Sequence, residues 1–276
     1  MTKTEICNLA LSLVSANTAT DIDTDSTPQA EAVRRWFAPA RDEALASHPW
    51  NFAMKRARLT LTWTALSGVA LADNGSGLIR VTATSHGLST GNRIHLRNAT
   101  GCPAANGTWY VTVISSSTFD LIDSVFSGTH TSGTGEWILA PLTGWEYQHT
   151  IPSDNLRVVR VNGEEGNEED SQPYAIEQGY LLTDADVAEI RYVYQHTTVT
   201  TWTQDFINAF AYLLASYIAS EIIKSTDKSE QMRRQFEGLI APQKRRNDSR
   251  AGKPRVLQPV YDSDLVRARR GVISTR

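Results

Sequence analysis

The chain has 276 residues, with 27 basic against 30 acidic side chains, a net charge of −3 and 41% hydrophobic residues. These fractions are ordinary for a soluble protein with one large or two modest cores, and they argue against intrinsic disorder. Its two cysteines, Cys7 and Cys102, lie far apart without CxxC spacing, which argues against a disulfide framework or a structural zinc and fits a reducing cytoplasm.

The charge is unevenly spread. From Pro242 onward there are ten basic residues and three acids, a net of +7, so the rest of the chain stands at −10. An acidic body with a basic arm suggests that the arm meets an acidic surface, either nucleic acid or protein.

Residues 4–16 read as a short amphipathic helix rather than a signal peptide, with Ile6, Leu9, Leu13 and Val14 on one side. After a polar loop, Thr27 and Pro28 form a helix start: a hydroxyl cap, then proline at the first helical position. Ala30, Val33, Phe37, Ala40 and Ala44 share the apolar face of this second helix. Pro39 is expected to kink it, and it ends before Pro49. The aromatic turn His48-Pro49-Trp50-Asn51-Phe52-Ala53 follows, then an alternating strand over 55–63. Trp50 and Phe52 read as a seal between helix and sheet before they read as ligands.

Composition shifts over about 66–140, which is rich in Gly, Ser, Thr and Asn. Short strands are expected at 78–85, 93–97, 108–115, 118–122 and 135–139. Turn signals such as Asn74-Gly75, Thr90-Gly91 and Asn106-Gly107 lie between them. This spacing predicts a small β-sandwich or barrel inserted between helical segments. Beyond it, strands at 156–161, 174–176, 180–182 and 188–194 are expected to form one small antiparallel sheet.

Residues 203–224 are the longest apolar run. Phe206, Phe210, Leu213 and Tyr217 form one row at helical spacing, and Ile207, Leu214, Ile218 and Ile222 form a second. Such a wide arc touches neighbours on more than one side. It fits either the centre of a monomeric bundle or a helix packing on copies of the same chain. A weak polar strip holds Asp205, Asn208, Tyr212 and Ser216. The uncharged stretch between Asp205 and Glu221 is shorter than the roughly 20 residues a bilayer needs, so no membrane span is expected. A last helix should start at Asp227, with Glu230 as a capping box, and run to about residue 240.

The fold class is therefore α+β. A helical bundle with a small sheet is expected from residues 1–64 and 141–249, an inserted all-β domain from 65–140, and an extended arm from 250–276. Several catalytic strings are only spelled. Ser225-Thr226-Asp227-Lys228 and Ser153-Asp154-Asn155 occur in the wrong order for a serine β-lactamase set, without the KTG that should follow. The six histidines are scattered, and neither a metal nor a cofactor is expected. Glu164, Glu165, Glu168, Glu169 and Asp170 form an acidic loop. It reads as solvated, with paired-carboxylate glycoside hydrolysis as the other reading. In the arm, Val256, Leu257, Val260 and Tyr261 lie among basic residues, a pattern that suggests folding onto a partner.

Residues 44–53, Ala-Leu-Ala-Ser-His-Pro-Trp-Asn-Phe-Ala, followed by basic residues and a strand, resemble the second-helix exit of the head-to-tail adaptors of tailed bacteriophages, the tail tubular protein A or gatekeeper group. The small sheet leading into Phe210-Ala211-Tyr212-Leu213-Leu214-Ala215 and the last helix with its extension resemble that group too. The resemblance covers about 2–63 and 145–240. The insert, with Asn106-Gly107-Thr108-Trp109-Tyr110-Val111, is similar to small β-modules of phage structural proteins.

The resemblance implies a structural protein without catalysis. It would sit at the head-tail junction of a virion and be assembled in the host cytoplasm. Copies would form a homo-oligomeric, dodecameric ring under the portal protein, with genomic DNA passing through. Phe206, Phe210, Leu214, Tyr217 and Ile218 would face neighbouring subunits. Arg250, Lys253, Arg255, Val256, Leu257, Val260, Tyr261, Leu265, Arg267, Arg269 and Arg270 would contact the portal. Glu164, Glu165, Glu168 and Glu169 would face the tail nozzle or tube. The competing expectation is a tail-associated glycan hydrolase or carbohydrate-binding protein.

Overall fold

Three of the four α-helices, the one at Gln204–Ile222 excepted, start on a hydroxyl cap. In the computed structural model, α1 (Lys3–Leu13) opens on Thr2, whose side chain accepts from the Glu5 amide at 3.2 Å while the Thr2 amide donates to Glu5 Oε2 at 2.7 Å. α2 (Pro28–Ser47) opens on Thr27 with Pro28 at its first position. The structure describes residues 1–66, 70–127, 135–163 and 172–250, and for 242–250 the backbone alone.

The strands follow in chain order. β1 is Met54–Thr60, β2 Thr64–Ala65, β3 Leu71–Asp73, β4 Ile79–Thr82 and β5 Arg93–Arg97. Then come β6 (Gly107–Ser115), β7 (Thr118–Leu121), β8 (Glu136–Ala140) and β9 (Tyr147–Thr150). β10 (Asn155–Val161), β11 (Ala175–Glu177), β12 (Tyr180–Thr183) and β13 (Val187–Tyr194) complete the set, before α3 (Gln204–Ile222) and α4 (Thr226–Arg250).

The chain divides into two compact units. One holds residues 1–56, 154–171 and 191–276, and the other 57–153 and 172–190. The second unit is wider than the insert expected at 65–140. The single small sheet expected after the insert is instead two: β1-β13-β10, and β11-β12-β9. The break follows from pairing, since Tyr180, Leu181, Leu182 and Thr183 register against Thr150, His149, Gln148 and Tyr147 of β9 rather than against β10.

In the helical unit, α3 is the hub. Phe206, Phe210, Leu213, Leu214 and Ile218 are fully buried, against Ile6 and Leu11 of α1, Val33 and Leu45 of α2, and Met232 and Phe236 of α4. Each such side chain contributes about 1.5–3 kcal/mol. Ser216, expected on a polar strip, is buried. Its hydroxyl donates to the Leu213 carbonyl at 2.7 Å, and its own carbonyl accepts from Ser229 Oγ at 2.6 Å. A small side chain that satisfies itself on its own helix leaves room for α4 beside it.

α4 differs from expectation at both ends. Its cap is Ser225, whose Oγ accepts from the Lys228 amide at 3.2 Å, rather than Asp227 with Glu230. The helix passes through Pro242 to Arg250, ten residues beyond the expected stop, and Pro39 likewise lies inside α2.

The β unit is built on one curled, half-barrel sheet in the order β2-β8-β5-β6-β7-β4-β3, antiparallel at every pair. Period-two alternation places Ile79, Val81, Ile94, Leu96, Val111, Phe119, Leu121 and Trp137 in one core. Arg80 makes a two-pronged ion pair with buried Asp120, at 2.7 and 2.9 Å, and Asn74 Nδ2 donates to the same carboxylate at 3.0 Å. The β3–β4 turn is held by the side chains of Asp73 and Asn74. They accept from the amides of Gly75, Ser76, Gly77 and Leu78 at 2.8–3.2 Å. Gly135, at φ +105°, could not carry a side chain without strain, and a Cβ there would lie 3.1 Å from Leu66.

Candidate assembly surface of the helical unit

The string that carries the adaptor resemblance becomes a built object. α2 ends at Ser47, and Pro49 turns the chain so that Trp50 folds back with its indole Nε1 donating to the Ala44 carbonyl at 3.0 Å. Its ring meets Phe206 edge-on at 5.1 Å, and Phe52 meets the same phenylalanine at 5.1 Å. Trp202, just before α3, packs on Phe206 at 4.9 Å and Phe210 at 5.1 Å, and Phe37 of α2 meets Phe210 at 5.2 Å. Edge-to-face pairs add about 0.5–1.5 kcal/mol beyond the area they bury. The string is thus a lock between the end of α2 and the start of α3. Trp202 was not singled out from the sequence, although a tryptophan two residues before an apolar helix is the signal for it.

Next to this lock lies a polar chain. Lys55 Nζ pairs with Asp154 Oδ2 at 2.7 Å and sits 3.9 Å over the Tyr194 ring, and Tyr192 Oη donates to Asp154 Oδ1 at 3.1 Å. The bond from Lys55 holds the Asp154 carboxyl below its ordinary range. His196 is bonded at Nδ1 by Tyr194 Oη and at Nε2 by Thr201 Oγ1. The Thr201 hydroxyl donates to the Thr198 carbonyl at 2.9 Å, so it accepts from His196 Nε2–H, and Nδ1 accepts from Tyr194. Burial pushes the imidazole pKa down, which favours this neutral form. The hydroxyls of Tyr192, Tyr194 and Thr201 each have an acceptor within the chain, and the cluster ties β13 and the segment after it to Lys55 and Asp154. Tyr192 and Tyr194 share one face of β13 by alternation, which makes the pair legible in the sequence once the strand is placed.

A second network joins α2, α3 and α4. Glu43 accepts from Tyr217 Oη and Arg233, and Glu221 accepts from Arg35 and from Trp36 Nε1 at 2.7 Å. Trp36 and Tyr217 stack at 4.9 Å. The bond to Glu43, then burial, raises the Tyr217 pKa.

On the same unit an open cleft of about 520 Å³ lies between α1, α2 and the 197–199 segment. Lys3 pairs with Asp23 and lies 5.2 Å over the Phe37 ring, and Arg34 Nη1 donates to the carbonyls of Ile22 and Asp25, each at 2.7 Å. Arg41, only 9% exposed, pairs with Asp42 at 2.8 Å. Lys3 and Arg41 are paired with Asp23 and Asp42, so the positive excess at the lining is that of Arg34.

The residues expected at subunit contacts are placed differently. Phe206, Phe210, Leu214 and Ile218 are buried in the chain's own core, and Tyr217 is half-buried against Trp36 and Glu43. α3 is covered by α1, α2 and α4 of the same chain, so the four buried residues form no exposed face of the single chain, while Tyr217 keeps part of its surface open. Glu164, Glu165, Glu168 and Glu169, with Asp170, lie outside the described residues, as do Lys253, Arg255, Val256, Leu257, Val260, Tyr261, Leu265, Arg267, Arg269 and Arg270. Arg250 is the last residue of α4, with its backbone alone described. Among the described residues no group of three or more His, Cys, Asp and Glu side chains could hold a metal ion, and no helix is long and apolar enough to cross a membrane.

No family model matches the chain, and no curated protein matches it. Among solved structures it is similar to the phage phi92 endosialidase, at 20% identity and a TM-score of 0.22, over 40% of this chain and 17% of that one. The chain thus spans less than a fifth of that structure, and a likeness at this level carries no argument about fold or activity.

Proposed function

We propose that this chain is a structural head-to-tail adaptor of a tailed phage. Copies form a homo-oligomeric, dodecameric ring that docks on the portal, joins it to the tail nozzle and lets genomic DNA pass. The observation that carries the reading is the second-helix exit, in which Trp50 and Phe52 pack on Phe206 and tie the end of α2 to α3. α4 supports it, because the basic segment that would act as a strap for the portal follows directly on a helix that runs to Arg250. The acidic body suits a conduit, since a wall that neutralised phosphates would hold DNA rather than release it.

Since α3 is covered within its own chain, the ring contacts in this reading are polar and peripheral. The cleft lined by Lys3, Arg34 and Arg41 is a candidate seat for an acidic group of the next copy. Native mass measurement with purified portal tests the reading. A ring bound to portal, lost when residues 251–276 are deleted, supports it. A chain that stays monomeric with portal present contradicts it.

A further inference from the structure

The β unit carries a second cleft, of about 640 Å³, open to solvent and walled by β5, β6 and the 141–146 and 184 segments. Its walls are tied down by bonds internal to the protein. Tyr110 is 44% exposed, yet its hydroxyl donates to the Leu142 carbonyl at 2.6 Å, so an exposed aromatic ring is fixed at its tip. Arg93 Nη1 donates to the carbonyls of Pro141 and Trp145 at 3.0 and 2.8 Å, clasping that loop to β5. The Glu146 amide donates to Asp184 Oδ1 at 3.1 Å, which leaves Oδ2 and the Glu146 carboxylate as acceptors at the cleft.

We propose that this cleft binds a neutral oligosaccharide, with one sugar ring stacked on Tyr110 and its hydroxyls donating to Asp184 and Glu146. A fixed tyrosine offers flat apolar area without the entropy loss of ordering a mobile side chain. Carboxylates accept from sugar hydroxyls, and the Arg93 guanidinium has N–H groups beyond Nη1 to donate to a ring or hydroxyl oxygen. Aromatic area with a few converging polar groups is the composition of a small-ligand site. The sign of the charge selects the sugar. Two carboxylates face one guanidinium already spent in part on backbone carbonyls, so an acidic sugar or a phosphate would meet net repulsion. The proposal does not depend on the adaptor reading, because ring mass is measured without sugar.

The test titrates the full chain with cellotetraose, maltotetraose and chitotetraose as neutral probes and with a trimer of sialic acid as the acidic one, read by saturation-transfer NMR and calorimetry. At least one neutral probe should bind, about tenfold more weakly after Tyr110→Ala and after Asp184→Asn. If Tyr110→Ala proves unfolded by circular dichroism, exposed Glu146→Gln replaces it with the same expectation. No binding of any neutral probe, binding of the acidic trimer alone, or neutral binding that survives the substitutions would overturn the proposal.

Discussion

The two units fill their cores with different materials from different distances. In the helical unit Phe37 and Trp50, from the first fifth of the chain, meet Trp202, Phe206 and Phe210, from the last third. In the β unit Val81, Phe119 and Val113 meet across adjacent strands of one sheet, within a single continuous stretch of chain. The helical core needs a loop across most of the chain closed before its contacts form, while the sheet combines three hairpins, β3-β4, β5-β6 and β6-β7, with the longer closures β4-β7, β5-β8 and β2-β8. Each core also carries one buried cysteine, Cys7 in the first and Cys102 in the second, both fully covered. Burial pushes the Cys7 thiol up to about 12, so neither disulfide reagents nor alkylators should reach it until its own unit opens. The lesson is that one chain holds two cores whose stabilities can be read separately.

The sharpest way to break that comparison is to remove one central ring at a time. Phe206→Ala should cost about 3–5 kcal/mol and speed thiol labelling of Cys7 while leaving Cys102 protected. Phe119→Ala, of similar magnitude, should do the reverse. Equal acceleration at both cysteines in either variant would merge the two cores into one.

Asp120→Asn comes next, at about 2 kcal/mol, from loss of the charged partner of Arg80, and it should appear in urea denaturation followed at Cys102. Arg80 holds the Asp120 carboxyl below the ordinary range. Its folded pKa therefore lies below its unfolded one, so this stabilisation is present above about pH 4 and fades as pH falls through the folded value. The variant should lose that acid-dependent part in the β unit and leave the helical unit's acid profile unchanged. An unaltered acid profile for the β unit would remove the ion pair from the account.

Smaller effects sharpen the helical side. Tyr217→Phe should cost about 1 kcal/mol, by freeing Glu43 of one of its two donors, and its effect should shrink when Arg233 is also replaced. Thr27→Ala should cost about 0.5 kcal/mol, at the low end for a cap because its bond to the Ala30 amide is 3.4 Å long. Both are measured as shifts in denaturation midpoint of the Cys7 unit.

The helical unit was legible where local chemistry decides. Thr27-Pro28 announced the start of α2 and Pro49 its end, and the two apolar rows of α3 marked the hub. β5 was read to the residue, because alternating Ile94 and Leu96 leave one register that buries them. What failed depends on the rest of the chain. Pairing of Leu181 with His149 rather than with β10 is a choice between partners that single strands do not record. Phe206, Phe210, Leu214 and Ile218, assigned to a neighbour, look the same in sequence whether the cover comes from the same chain or another. α4 continues through Pro242 as α2 does through Pro39, so a proline inside a helical run did not mark its end. Of the β-unit cleft only Tyr110 could be guessed. Its companions Arg93, Glu146 and Asp184 are distant in sequence and are assembled by the fold.

Whether this chain assembles and docks, as proposed, is decided by imaging the purified chain mixed with portal and weighing the complex by native mass. Closed rings seated on the portal are expected. Their helical units should touch through polar rims while α3 stays inside each copy, and seating should be lost when residues 251–276 are removed. Monomers alongside portal, or rings that seat equally well without that segment, would contradict it.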